Sequence, residues 1–201
     1  MDGIELMATA MHAARNRLDV SAGNLANVSS DGFQKRVAHA TLTAEGLVPS
    51  SDVDQAPGSL RHTGRNFDLA IAGPGCLFVR DNAGHVHESR GGAFSRNAHG
   101  QLANDRNELL LGERGPLVTS ADATIDARGI VRDGGNNDGR IRLRAGTALQ
   151  SGFLESSNVD AVGEMVDVLS AQRAFETAQK TLSAIDEERQ KTADDVGRVK
   201  S

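Results

Sequence analysis

The sequence has no tryptophan and no tyrosine among its 201 residues, and its only large aromatics are six phenylalanines. Flat platforms that stack single-stranded bases or sugar rings are therefore scarce. A net charge of −5 lacks the broad positive field of a general polyanion binder, so no nucleic-acid partner is expected. Cys76 is the only cysteine, which excludes an intrachain disulfide and zinc clusters of paired cysteines. That usage fits a reducing cytosol, or an oxidising compartment reached without disulfide chemistry. No run approaches the ~20 apolar residues of a membrane span, so no membrane insertion is expected. The N-terminal stretch interrupts its apolar residues with Asp2, Glu5 and Arg15 and lacks the basic start and apolar core of a cleavable signal peptide. Export, if it occurs, uses another route. G-x-S-x-G, H-E-x-x-H and a phosphate-cradling glycine loop are all missing. The chain is read as no enzyme, with no catalytic residues, no metal and no cofactor.

What is present divides by period. Ile4, Met7, Met11, Ala14, Leu18, Ser21, Leu25 and Val28 recur at alternating steps of three and four. This spacing predicts a helix from Met1 to about Val28 with an apolar seam and one polar member. Ser29-Ser30-Asp31-Gly32 then ends it with turn formers. Near the other end a second seam reads Val168, Ala171, Phe175, Ala178, Leu182 and Ile185. Ser157 or Asn158 is the expected N-cap of that helix, with Asp160 in its first turn. Val162, Met165 and Leu169 are read as widening the same apolar face. Beyond Ile185 the pattern thins until Val196 and Val199, and fraying is expected there.

Between the helices, short apolar runs alternate with turn signals such as Asp81-Asn82-Ala83-Gly84, Ala98-His99-Gly100 and Arg128-Gly129. Phe67 to Ile71 and Arg140 to Arg144 alternate, and Cys76 to Val79 is apolar throughout, which together suggest an antiparallel β domain. The expected fold is α+β: long N- and C-terminal helices pairing as a coiled coil, with a central antiparallel all-β domain. Residues 1–36 and 153–201 would form a discontinuous helical region, 37–57 a linker or loose arm, and 58–152 the β domain. Two long seams on so small a core suit a subunit that polymerises, since any uncovered seam must be buried in other molecules.

Four separated motifs sharpen this reading. Asn24-Leu25-Ala26-Asn27-Val28-Ser29-Ser30-Asp31-Gly32-Phe33 resembles the N-L-A-N-x-x-T-x-G-F signature of flagellar rod and hook proteins. Asp68 to Val79 resembles D-L-A-I-x-G-x-G-F-F-V, and Arg90-Gly91-Gly92-Ala93-Phe94 is similar to R-x-G-x-F. Leu154-Glu155-Ser156-Ser157-Asn158-Val159 resembles L-E-x-S-N-V, and Ala171 to Glu176 resembles the A-Q-R-A-[FY]-E that follows it. The resemblance to the flagellar basal-body rod family, in its members with a β domain, implies a structural subunit of a hollow helical drive shaft. It implies assembly with copies of itself and with other axial proteins. It further implies passage through the flagellar type III export apparatus without a cleaved signal, and residence in the periplasmic basal body. The chain departs from the pattern in carrying Cys76 and Leu77 where two Phe are usual, Gln34 where Lys is usual, and a shortened segment before Phe153, so a trimmed β domain is expected.

Two other readings stand beside this one. His85 and His87 lie two apart, share one face of a strand and could begin a metal or enzyme site, with His62 or His99 as third ligand. A monomeric binding module could fold its terminal helices against its own body. The segment Asp133 to Gly139 resembles a calcium loop only superficially: Gly135 takes a ligand position, and Arg144 stands where Glu is required. Arg140, Arg142 and Arg144 are read as one basic face that protects an edge strand.

Overall fold

The computed structural model describes residues 3–43, 46–133 and 136–199. The α+β class holds: a helix stands at each end, and the strands between them pair antiparallel. Helix α1 is Gly3–Ala26 and helix α2 is Ala161–Val199. The strands are β1 Arg36–Thr43, β2 Gly46–Val53, β3 Leu60–His62, β4 Asp68–Ala72, β5 Leu77–Arg80 and β6 Val86–Ser89. They continue with β7 Gly91–Ala93, β8 Ser95–Arg96, β9 Leu102–Ala103, β10 Leu109–Gly112 and β11 Gly115–Pro116. The last are β12 Thr124–Ile125, β13 Ile130–Asp133, β14 Asn136–Arg140, β15 Ala148–Ser151 and β16 Phe153–Glu155. Two compact units result: α1, the β1–β2 hairpin and α2 form one, and Asn27–Gln34 with Gln55–Asn158 form the other.

In the helical unit, α1 and α2 pack against each other in opposite directions. Gly3 lies beside Ile185, Arg17 beside Asp167 and Asn24 beside Glu164. Asp160 is the N-cap of α2: its carboxylate accepts the Val162 N–H at 3.1 Å and its carbonyl the Glu164 N–H at 2.9 Å. This corrects the expected cap by two residues, because Asn158 instead donates its amide to the Ala56 carbonyl at 2.8 Å. α2 runs past Ile185 to Val199, where the thinning pattern resumes; Glu187, Glu188, Gln190 and Lys191 are good helix formers in a stretch the seam no longer serves. α1 ends earlier than expected, at Ala26, so Val28 falls in the following turn and outside the seam.

Residues 37–57, expected as a linker or arm, contain most of an ordered hairpin with β1 and β2 paired from Arg36↔Val53 to Thr43↔Gly46. An isolated two-stranded hairpin is marginal in water. Here it lies against α1, and the Asn16 amide donates to the Ser50 carbonyl at 3.2 Å. Ala38 and Ala40 on the strands carry little apolar signal, which is why the segment reads as a linker.

The β unit contains a mixed-order sheet β6-β5-β10-β9-β8 with β11 on β10, two three-stranded sheets, β12-β13-β14 and β15-β4-β7, and the pair β16-β3. Its core is built from Leu69, Ile71, Leu77, Val79, Leu102, Leu110, Val131, Ile141 and Leu149. Four hairpin connections repeat one device. At Asp81, Asn97, Asn104 and Asp126 the side-chain oxygen accepts the N–H groups two and four residues on. The backbone N–H of the same residue donates to the carbonyl four residues on. The fourth residue has positive φ in every case: Gly84, Gly100, Asn107 and Gly129. These are three-residue loops of a type I turn closed by a left-handed residue, with Asx supplying the first oxygen. The Ile130 N–H, joined by that of Arg128, holds the Asp126 carboxyl below its usual range.

β4 departs from the expected alternation: Asp68 to Ile71 are all buried, because β15 and β7 flank the strand on its two edges and both its faces are covered. Only Arg140 of the expected Arg140–Arg144 strand lies in β14, and Ile141 and Leu143 make isolated bridges to Gly112 and Leu77. The three arginines do not form a free basic face. Arg140 is 3.7 Å from Glu113, Arg142 lies over the Phe78 ring at 4.7 Å, and Arg144 pairs with Glu88. In the expected pseudo-calcium segment Asp133 and Asn136 are strand partners, and Gly135 lies outside the described residues.

Gly91 marks the tightest approach. Its φ is 132° and an added Cβ would lie 2.0 Å from the Leu69 carbonyl oxygen, whereas Gly92, at φ 147°, faces open space. Gly91→Ala should lower the unfolding free energy by about 3 kcal/mol or more, through backbone clash as well as strain. Gly92→Ala should cost roughly half as much. Urea unfolding of the two variants checks the difference.

Candidate assembly surface

The helical unit carries the seam residues expected from the sequence to take part in assembly. On α1, Ile4, Met7, Met11, Leu18 and Leu25 are half-buried and Ala14 is buried with Ser21. On α2, Val168, Phe175, Leu182 and Ile185 are half-buried, and Ala171 and Ala178 are buried. The buried members of the two seams are small residues, and the larger members are half-buried. The two seams thus face each other within one chain.

A polar knot fixes the register of this pair. Glu164, in the first turn of α2, is 1% exposed. Its Oε2 accepts from the Asn24 amide at 3.2 Å, and its Oε1 takes the Lys35 ammonium at 2.7 Å. Asn24, equally buried, also donates to the Arg36 carbonyl at 2.7 Å and accepts the Arg36 N–H at 2.8 Å. One amide therefore ties together the last turn of α1, the first residue of β1 and the first turn of α2. A carboxylate that far from water needs such partners, since an unpaired buried charge costs several kcal/mol. Arg17 and Asp167 add a more exposed ion pair two turns away. The Glu164 hydrogen bond raises the Lys35 pKa above its ordinary value against the opposing effect of burial.

The remaining motif residues organise the β unit. Arg90 and Glu155 form a buried, two-pronged ion pair with contacts of 3.0 and 2.8 Å. Arg90 also donates to the Gly73 carbonyl at 2.7 Å, and Glu155 accepts the Gly58 N–H at 2.9 Å. The Gly32 N–H donates to the Glu155 carbonyl at 2.6 Å, with Gly32 at φ 71°. Leu154 is buried, Phe33, Ser157, Asn158 and Val159 are half-buried, and Ala26 is exposed. Asn27 caps a turn in which its carbonyl accepts the Ser30 N–H at 3.0 Å. The cation expected at position 34 is supplied one residue later by Lys35.

Val162, Met165 and Leu169 do not widen the seam. With Val166 they form a stripe on the opposite side of α2, and the four are 71%, 53%, 55% and 61% exposed in that order of naming. At 100° per residue, positions 162, 166 and 169 point away from 164, 171 and 178. The expected metal site is not assembled either. His85 pairs with Asp81 at 3.2 Å and His87 with Glu108 at 3.4 Å, and among the described residues no three ligands converge. Cys76 is buried, and that burial pushes its thiol up from the ordinary value.

Two family models fit the chain: Flagella basal body rod protein over residues 4–34 and Flagellar basal body rod FlgEFG protein C-terminal over residues 150–195. The flagellar basal-body rod protein FlgF of Escherichia coli strain K12 is 30% identical over 234 residues, covering 89% of this chain and 93% of that one. FlgG of Bacillus subtilis strain 168 is 28% identical, covering 86% and 90%. FlgF of Caulobacter vibrioides is 26% identical, covering 92% and 94%. The chain belongs to the flagellar basal-body rod protein family. These are structural proteins of the basal body and not a family of enzymes. The alignments are longer than the 201-residue chain itself, so the relatives carry residues that it lacks.

Removing Glu155 should leave the Arg90 guanidinium buried without its counter-charge. Glu155→Ala should therefore cost about 3–5 kcal/mol in urea unfolding. The Lys35–Glu164 pair sets an alkaline limb of stability. Because the Lys35 pKa is raised on folding, its contribution is complete below about 10.5, the unfolded value. It declines as pH climbs through the higher folded value. Lys35→Met should remove that limb, as read from unfolding midpoints between neutral pH and pH values above it.

Proposed function

We propose that this chain is a rod subunit that self-assembles through its terminal helices, paired as a coiled coil, into a hollow helical drive shaft. The observation that carries the reading is the buried Asn24–Glu164–Lys35 knot. It joins the two most diagnostic motif regions and holds the chain ends together as one stiff helical pair. Such a pair transmits torque as a unit, which single unlinked helices do not. The partners on this reading are copies of the chain and other axial proteins of the rod and hook. Delivery is through the flagellar type III export apparatus, without a cleaved signal, to a periplasmic basal body. The seam residues from Ile4 to Leu25 and from Val168 to Ile185 first build the pair, and their half-buried members add contacts between neighbouring subunits. On this reading the assembling region is α1 and α2, which lie within the expected boundaries 1–36 and 153–201, with the β1–β2 hairpin joined to them.

Ala171, a seam residue of α2, is buried to 1% exposure. Ala171→Asp should abolish rod assembly and swimming while circular dichroism retains the strand signal of the β unit. Normal motility with this variant as the sole copy would contradict the proposal.

A further inference from the structure

The seams are largely spent on pairing the two helices of one chain, so another surface is needed beside their half-buried members to complete the contact between chains. The described part of α2 offers one on its far side. Val162, Met165, Val166 and Leu169 form an exposed apolar stripe there, and Arg173 and Glu176 continue the same face, both exposed. α1 presents an exposed outer face of a different kind: Arg15, Asp19, Ala22 and Ala26, at steps of four, three and four. Arg15 and Asp19 are held only by a loose mutual contact of 3.9 Å, with 73% and 70% of their side chains exposed. Gly23 beside them leaves open space where a side chain would stand.

These two faces complement each other when run in opposite directions. Glu176 then meets Arg15, Arg173 meets Asp19, Leu169 lies on Ala22 and Gly23, and Met165 with Val166 lies on Ala26. Each charge meets its opposite, and each large apolar side chain meets a small one that lets the helices approach. The register differs by about one helical turn, roughly 5 Å, from the one joining Asn24 to Glu164 within a chain. Neighbours bound this way would be displaced along the axis by that step. We infer that the outer stripe of α2 docks on the outer face of α1 of a second copy of this chain, through Arg173–Asp19 and Glu176–Arg15. The contact joins unlike surfaces, so it does not close on itself and repeats into an open helical array. This inference rests on the rod-subunit reading and specifies its subunit contact.

A charge exchange tests it in a motile host whose only copy is the full-length chain or a variant. Asp19→Arg and Arg173→Asp should each lower the amount of chain in purified basal bodies about tenfold or more, because like charges then face each other. Combining Asp19→Arg with Arg173→Asp should restore both incorporation and swimming. Arg15→Glu with Glu176→Arg provides an independent second exchange. All these positions are exposed, so unfolding midpoints of the soluble variants should match that of the parent. Single variants that incorporate like the parent, or double variants no better than the singles, would overturn the contact and leave the rod-subunit reading standing. Absence of the parent chain itself from basal bodies would overturn that reading, and the contact with it.

Discussion

The Glu164 carboxylate is the constraint on which the helical unit depends. It is removed from water in the first turn of α2, and the Asn24 amide and the Lys35 ammonium compensate it. Apolar seams alone tolerate a slide by one heptad, because one row of Leu, Met and Ala resembles the next. A buried charge does not: displacing α1 by a turn takes away its Asn24 donor. The knot therefore converts a greasy contact into a single register. Its Asn24 branch also holds the root of the β1–β2 hairpin through the backbone of Arg36.

The β unit uses the same principle with different residues. Arg90 and Glu155 are buried together and spend their remaining hydrogen bonds on the carbonyls of Gly73, Gly75 and Ile71 and on the amide of Gly58. One ion pair thus gathers loops from distant parts of the sequence where few large apolar side chains are available. The economy extends to the turns, where four copies of one Asx loop let short strands reverse without long connections.

Much of this was legible from spacing. The seams of α1 and α2 follow the helical period, and both stretches are helical; the glycine and asparagine punctuation marks most of the β reversals. The errors have physical causes. Val162, Met165 and Leu169 look like seam members because apolar residues three and four apart suit either side of a helix, and only packing decides which side is covered. The hairpin at Arg36–Val53 was hidden because alanine, serine and threonine strands carry little apolar alternation. Asp160 displaced Asn158 as the helix cap because Asn158 found a better acceptor at Ala56. The arginines of the Arg140–Arg144 segment were read by their common face, yet each is bound to a different neighbour. Glu164 and Lys35 gave no sequence signal as a pair, since 128 intervening positions separate them and only the fold brings them together.

Membership of the rod family and the geometry of the knot meet in one claim: the two chain ends behave as a single cooperative element. Native-state amide exchange on the full-length Glu164→Ala variant tests this most directly. The account predicts that α1 and the first half of α2 lose protection together, while β4 and β10 keep theirs. Independent exchange of the two helices, or unchanged protection in both, would contradict it.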